Sequence, residues 1–244
     1  MEGAVHQFGV SGKLTMNGML MFDRETDTLW SHITGEAFKG PLKGAQLSAV
    51  PVTHTRWREW VDQHPDTKVL DKRGSYGFDS YYQSSRKGVL GSTRNDPRLG
   101  PKELLVGLRG QSGAKAYSFS ALADQQLIND SFEERSLLVL FDEKSQTGQI
   151  YDRTVDGQTR TLELLEGDTA LRDAETGTTW DRSTLEATDG PLTGATLQLV
   201  PTTYSFWFGW SDYYPTTLVY GEFSGSSKGP SSEGPFDSVV RRPR

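Results

Sequence analysis

Residues 40–51 spell GPLKGAQLSAVP, and residues 190–201 spell GPLTGATLQLVP. Laid over each other without a gap, residues 21–70 and 171–220 agree at 23 of 50 positions, against roughly 3 expected from ordinary residue usage. A match this dense predicts an internal duplication, two units built to one plan. Shared positions include Asp23/Asp173, Trp30/Trp180, Glu36/Glu186, Gly40/Gly190, Pro51/Pro201, Trp57/Trp207 and Trp60/Trp210. Gly and Pro recur in such units for local reasons, since Gly supplies left-handed backbone and Pro fixes φ at a turn.

The punctuation around the phrase predicts the elements of one unit. MLMFD and TALRD each end in Asp before a polar turn, the pattern of a hairpin leading into a strand centred on Trp30 or Trp180. Within the phrase, the alternation of Leu42, Ala45, Leu47 and Val50 predicts half-buried strands. THTRWREWVDQHP then offers Thr53 or Thr55 as an N-cap, Trp57 and Trp60 on one helix face, and Pro65 as a stop. DTKVL and its counterpart TTLVY return as strands.

The second unit has a front half that the first lacks. ELLVGLRGQSGAKAYSFSAL predicts two strands around a Gly turn, LLVLFD a buried strand, and QIYDRTVDGQTRTLELL a hairpin with Asp156-Gly157 at its turn. The first unit is therefore expected to be open at one edge, which predicts either a truncated chain or two units that share one sheet. The fold class predicted is mainly β (α+β), two pseudo-symmetric β-rich repeat units, each with a short Trp-containing helix. Residues 1–72 form the first unit, with its front half absent. A connector with an aromatic clasp of Tyr76, Tyr81 and Tyr82 spans 73–102, the more complete second unit spans 103–220, and a flexible Gly/Ser/Pro-rich tail spans 221–244.

Composition excludes some functions. The 244 residues include no cysteine, so disulfides, thiolate metal sites and a cysteine nucleophile are ruled out for this chain. A net charge of -6 argues against nucleic acid as a partner. Apolar runs such as LLVLF fall far short of the roughly 18 residues that span a bilayer, and MEGAVHQFGVSGK lacks the basic start and apolar stretch of a signal peptide.

A family resemblance rests on FGVSGKL, MFDRETDTLW, GEAFKGPLKGAQL, TRWREWVDQHPDTKVL, DPRLGPKE, INDS, LLVLFD and FWFGWSDYYPTTLVY, in that order from Phe8 to Tyr220. The chain resembles the family called domain of unknown function 3179. The resemblance implies no established activity. It implies export of full-length members and, ahead of the FGVSG segment, a paired-cysteine CPLCG-like motif that this sequence does not contain. AYSF and TLEATDGPL also depart from the family's phrases.

Candidate sites follow from residue type. His6, His32, His54 and His64 show no close ligand pairing, so solvated or capping roles are preferred to a metal site. Met16, Met19 and Met21 suit core packing near a turn better than a soft metal. GVSGK matches neither a nucleophile elbow nor a phosphate loop. Glu36 and Glu186 are candidates for a carboxylate pair, with backbone capping as the plainer role. The aromatics Tyr204, Trp207, Trp210 and Tyr214, with Trp30 and Trp180, are candidate contacts for a ligand or partner. The plainer alternative places Trp57 and Trp60 against Trp207 and Trp210 in a shared core. No catalytic, cofactor or metal residues are assigned. The leading expectation is a non-catalytic binding or structural module with an unidentified ligand or protein partner. The alternatives are a scaffold for an enzyme or redox/metal protein whose reactive cysteines lie in a missing N-terminal segment, and a carbohydrate-binding protein.

Overall fold

A computed structural model describes residues 5–70, 79–84, 87–88 and 94–222. Tyr76, the connector residues 73–78, 85–86 and 89–93, and tail residues 223–244 lie outside the described residues. In chain order, strands β1 (Phe8–Thr15), β2 (Gly18–Asp23), β3 (Leu29–Ser31) and β4 (Ala37–Lys39) form an antiparallel meander, followed by helix α1 (Trp57–Gln63) and the short α2 (Asp79–Gln83). Next come β5 (Leu104–Arg109), β6 (Ala114–Ser118), α3 (Phe119–Asp124), β7 (Leu127–Phe132), β8 (Arg135–Asp142) and β9 (Thr147–Asp152). A small hairpin of β10 (Thr154–Val155) and β11 (Gln158–Thr159) leads to a second meander, β12 (Leu162–Leu164), β13 (Ala170–Asp173), β14 (Thr179–Asp181) and β15 (Ala187–Asp189). The chain closes with β16 (Gln198–Leu199), β17 (Thr203–Phe206), α4 (Trp207–Tyr213) and β18 (Leu218–Val219). The molecule is mainly β. Besides the meanders it has sheets ordered β16-β9-β8-β7 and β17-β5-β6-β18.

Strand β8 shows why LLVLF is a continuous apolar run. Side chains alternate across a strand, so Leu137, Val139 and Phe141 face a core shared with Val106, Tyr117 and Ile150, while Leu138 and Leu140 face one shared with Trp180 and Leu171. A third cluster gathers Trp207 and Trp210 of α4 with Leu105, Ala114, Ala116 and Val219. The first meander docks on this body through Tyr213, whose hydroxyl donates to the Thr15 carbonyl at 2.8 Å.

The phrase GPLxGA forms a turn rather than a strand, a correction to the sequence reading. The N–H of Lys43 donates to Gly40 O and that of Gly44 to Ala37 O; Thr193 to Gly190 O and Gly194 to Ala187 O repeat the pattern. Gly40 and Gly190 have φ of 127° and 103°, and a Cβ at either would lie 2.7 or 2.8 Å from the Cα of Thr28 or Thr178. Only glycine meets both demands. A strand follows in the second stretch alone, as the two-residue β16.

The helix caps also differ from expectation. Arg56 and Phe206 hold the N-cap positions without a side-chain hydrogen bond. Thr55 and Thr53 instead accept hydrogen bonds from Thr147 and Gln149 of β9, because hydroxyls spent on a neighbouring strand are not available as caps. DTKVL forms no strand, whereas Leu218–Val219 pairs in parallel with β6.

Candidate functional site

Four features could carry function: a clasp of Asp, Thr and Trp in each meander, the two repeated glutamates, a cleft beside α1, and the outer face of α1. In the first clasp the buried Asp23 carboxylate accepts from the Trp30 indole at 2.8 Å and from Thr26 N–H and hydroxyl at 2.6 and 2.8 Å. In the second, Asp173 accepts from Trp180 at 3.1 Å and from Thr176 at 2.7 and 2.8 Å. Burial works to raise the Asp23 pKa, but the hydrogen bonds from Trp30 and Thr26, with His6 close by, outweigh it and hold the carboxyl down to about 2. Asp173 is lowered in the same way, with the Arg160 charge adding to its hydrogen bonds.

His6 stands 3.6 Å from Asp23 and 3.9 Å from Glu25, so the three could in principle share a cation. The second clasp decides the reading. There Thr161 N–H donates to Glu175 as Gln7 N–H donates to Glu25, which puts Arg160 in the place of His6. The Arg160 guanidinium beside one carboxylate makes the His6 imidazole its counterpart, the side chain that closes the first clasp. Asp23, already bonded to Trp30 and Thr26, is poorly suited to ligate a metal. Sequence spacing hid this cluster because His6 reaches Asp23 across the β1–β2 pairing, whose register sets Phe8 against Asp23.

Glu36 and Glu186 sit in separate isolated bridges, to Gln46 and Thr196, one in each meander. Among the described residues neither carboxylate makes a hydrogen bond or ion pair. Trp30 and Trp180 are wholly buried in the clasps, and Trp207 and Trp210 are buried in the third cluster. Tyr204 is half-buried with its hydroxyl donating to the Gly148 carbonyl, and Tyr214 is half-buried against the Trp210 ring at 4.3 Å. Of the three other histidines, His32 bonds the Met19 carbonyl, His54 packs on Tyr204, and His64 caps α1 against Trp60.

Helix α1 repeats α4 in backbone but not in burial. Their N-caps have φ, ψ of -71°, 144° and -77°, 149°, and their C-caps -131°, 68° and -126°, 70°. Trp60 donates to Thr67 at 2.9 Å and Trp210 to Thr217 at 3.0 Å. Yet Trp57 is 52% exposed where Trp207 is 1%, Val50 70% where Val200 is 2%, and Val69 67% where Val219 is 6%. The expected shared core of four tryptophans is thus corrected. Only Trp207 and Trp210 join a core, because β5 and β6 cover α4 and no described strand covers α1. Beside α1 lies a cleft of 470 Å³ whose wall includes Trp60, His64, Asp142, Asp181 and Arg182.

Comparison with known proteins gives one match. A family described as a protein of unknown function (DUF3179) matches residues 1–217. The chain belongs to that family. No curated protein and no solved structure matches it. DUF3179 membership accords with the eight phrases from Phe8 to Tyr220, and it names no reaction. Among its described residues, this member has no helix long and apolar enough to cross a membrane.

Proposed function

We propose that this DUF3179 protein is a non-catalytic binding module made of two copies of one unit, and that its acceptor surface is the apolar face of residues 50–70. The observation that carries this reading is the exposure of Trp57 with Val50, Val52, Val69 and Leu70, in a helix motif whose counterpart is packed away. Isolated exposed apolar residues need no explanation, but five of them within one 21-residue segment point to an interaction site. The matching cap angles and the Trp60–Thr67 bond mean the face is already in the shape its counterpart has when covered. A preformed face binds without a cost for ordering the backbone. Repeated Trp30 and Trp180 serve the interior of each unit, and binding falls to the aromatics that remain open.

Hydroxyl-radical footprinting of the free protein tests this. Trp57 and Leu70 are expected to be modified rapidly and Trp207 slowly. Protection of Trp57 equal to that of Trp207 would remove the acceptor face and the reading with it.

A further inference from the structure

The second unit displays what covers α4, and so supplies a template for what fits α1. Its cover is the β5–β6 hairpin. Strand β17 pairs antiparallel with β5, from Thr203 opposite Gly107 to Phe206 opposite Leu104, while β18 pairs in parallel with β6. The N–H of Trp207 donates to Glu103 O at 2.8 Å and that of Phe208 to Pro101 O at 3.0 Å. Trp210 lies flat against Gly107, where a Cβ would come within 2.2 Å of the ring. Around them the hairpin presents Leu105, Ala114 and Ala116, all apolar and the two alanines small.

Several receiving features have counterparts at α1, although residues 53–56 and 69–70 form no strand. Residues 53–56 are held in place by contacts to β9, and the N–H groups of Trp57 and Arg58 have no acceptor among the described residues. Trp60 lines an open cleft where Trp210 meets Gly107. Val69 and Leu70, at the positions of Val219 and Tyr220, are exposed.

Resting on the acceptor reading above, we infer that the face takes a β-hairpin from a partner protein. Its inner surface is small and apolar, with a glycine set against Trp60. The hairpin's first strand lies antiparallel to residues 53–56, its leading carbonyls accept from Trp57 and Arg58, and its second strand runs parallel to Val69–Leu70. This is β-augmentation, in which main-chain bonds supply affinity and side-chain fit supplies selectivity. The glycine is the selective element, because any side chain there strikes an indole ring.

The experiment titrates the full chain with a synthetic peptide of this protein's own residues 101–119, following tryptophan emission, alongside the same peptide carrying Gly107→Val. The expected result is saturable binding with a blue shift for the first peptide and binding weaker by about tenfold or more for the second. Trp57→Ala, at a position too exposed to threaten folding, should weaken binding by a similar factor. That also separates capture at α1 from exchange into the second unit. Equal binding of both peptides, or none, overturns the hairpin. Concentration-dependent self-association that buries Trp57 overturns it too, and names a second copy as the occupant. If Trp57 is open in footprinting and the peptide still fails, the hairpin alone is wrong; if Trp57 is protected, the acceptor face itself fails.

Discussion

Asp23 and Asp212 show how the same residue type is put to opposite uses. The Asp23 carboxylate is surrounded by donors and is held at about 2, below its ordinary value. Its contribution to stability is complete above the unfolded value near 4 and is lost as pH falls toward 2. Asp212 lies on α4 with one oxygen accepting Arg94 N–H at 2.6 Å and the other unpaired. Burial pushes its pKa up to about 6, against the lowering effect of the Arg94 N–H and the Arg94 and Lys87 charges. A raised carboxyl has the reverse sign, favouring the fold below pH 4 and costing stability as pH rises through 6. Stability measured by unfolding across pH 2–8 should therefore rise to a maximum near pH 4 from these two groups and then decline. Asp212→Asn should flatten the decline and stabilise the protein at pH 7 by about 1–3 kcal/mol; an unchanged profile would show that Asp212 is not the group responsible. At the first clasp, His6→Arg should leave stability within about 0.5 kcal/mol, because Arg160 fills that place in the second, whereas His6→Ala should cost about 1 kcal/mol. Equal losses in the two variants, by urea unfolding, would refute the equivalence of His6 and Arg160.

The elements were legible in the sequence to the degree that their signals were local. The Asp156-Gly157 hairpin formed as its dipeptide predicts, with both residues at positive φ. The strands centred on Trp30 and Trp180, and the doubly buried β8, followed from alternation and from the apolar run. GPLxGA misled, because its alternating apolar residues sit on a turn whose shape is imposed by Gly40 and Gly190 against Thr28 and Thr178, a contact between strands that no local pattern records. Gly40→Ala and Gly190→Ala should each cost about 1–3 kcal/mol by thermal or urea unfolding. A loss within experimental error would mean the turn tolerates a Cβ and that its recurrence has another cause. The threonines predicted as caps were spent on β9, a tertiary competitor invisible at the level of one helix. His6, read as solvated or capping, lies instead beside Asp23 for the same reason, since only pairing register brings it there.

For the molecule as a whole, the sequence predicts two units, of which the second has additional strands, and the two Trp-containing helices differ in burial. Two helices with the same caps and the same Trp-to-Thr bond differ because β5 and β6 cover one of them. Aromatic content alone pointed to Trp207 and Trp210 as candidate contacts, but covering strands turned those rings into core and left Trp57 outside. No periodicity within α4 could reveal this, because the cover comes from residues about a hundred positions earlier. Urea unfolding of Trp57→Ala beside Trp207→Ala tests the asymmetry most directly. The prediction is a loss of about 3–5 kcal/mol for Trp207→Ala and below about 1 kcal/mol for Trp57→Ala. Comparable losses at the two positions would mean that α1 is as fully packed as α4, and would contradict the account of an open acceptor face.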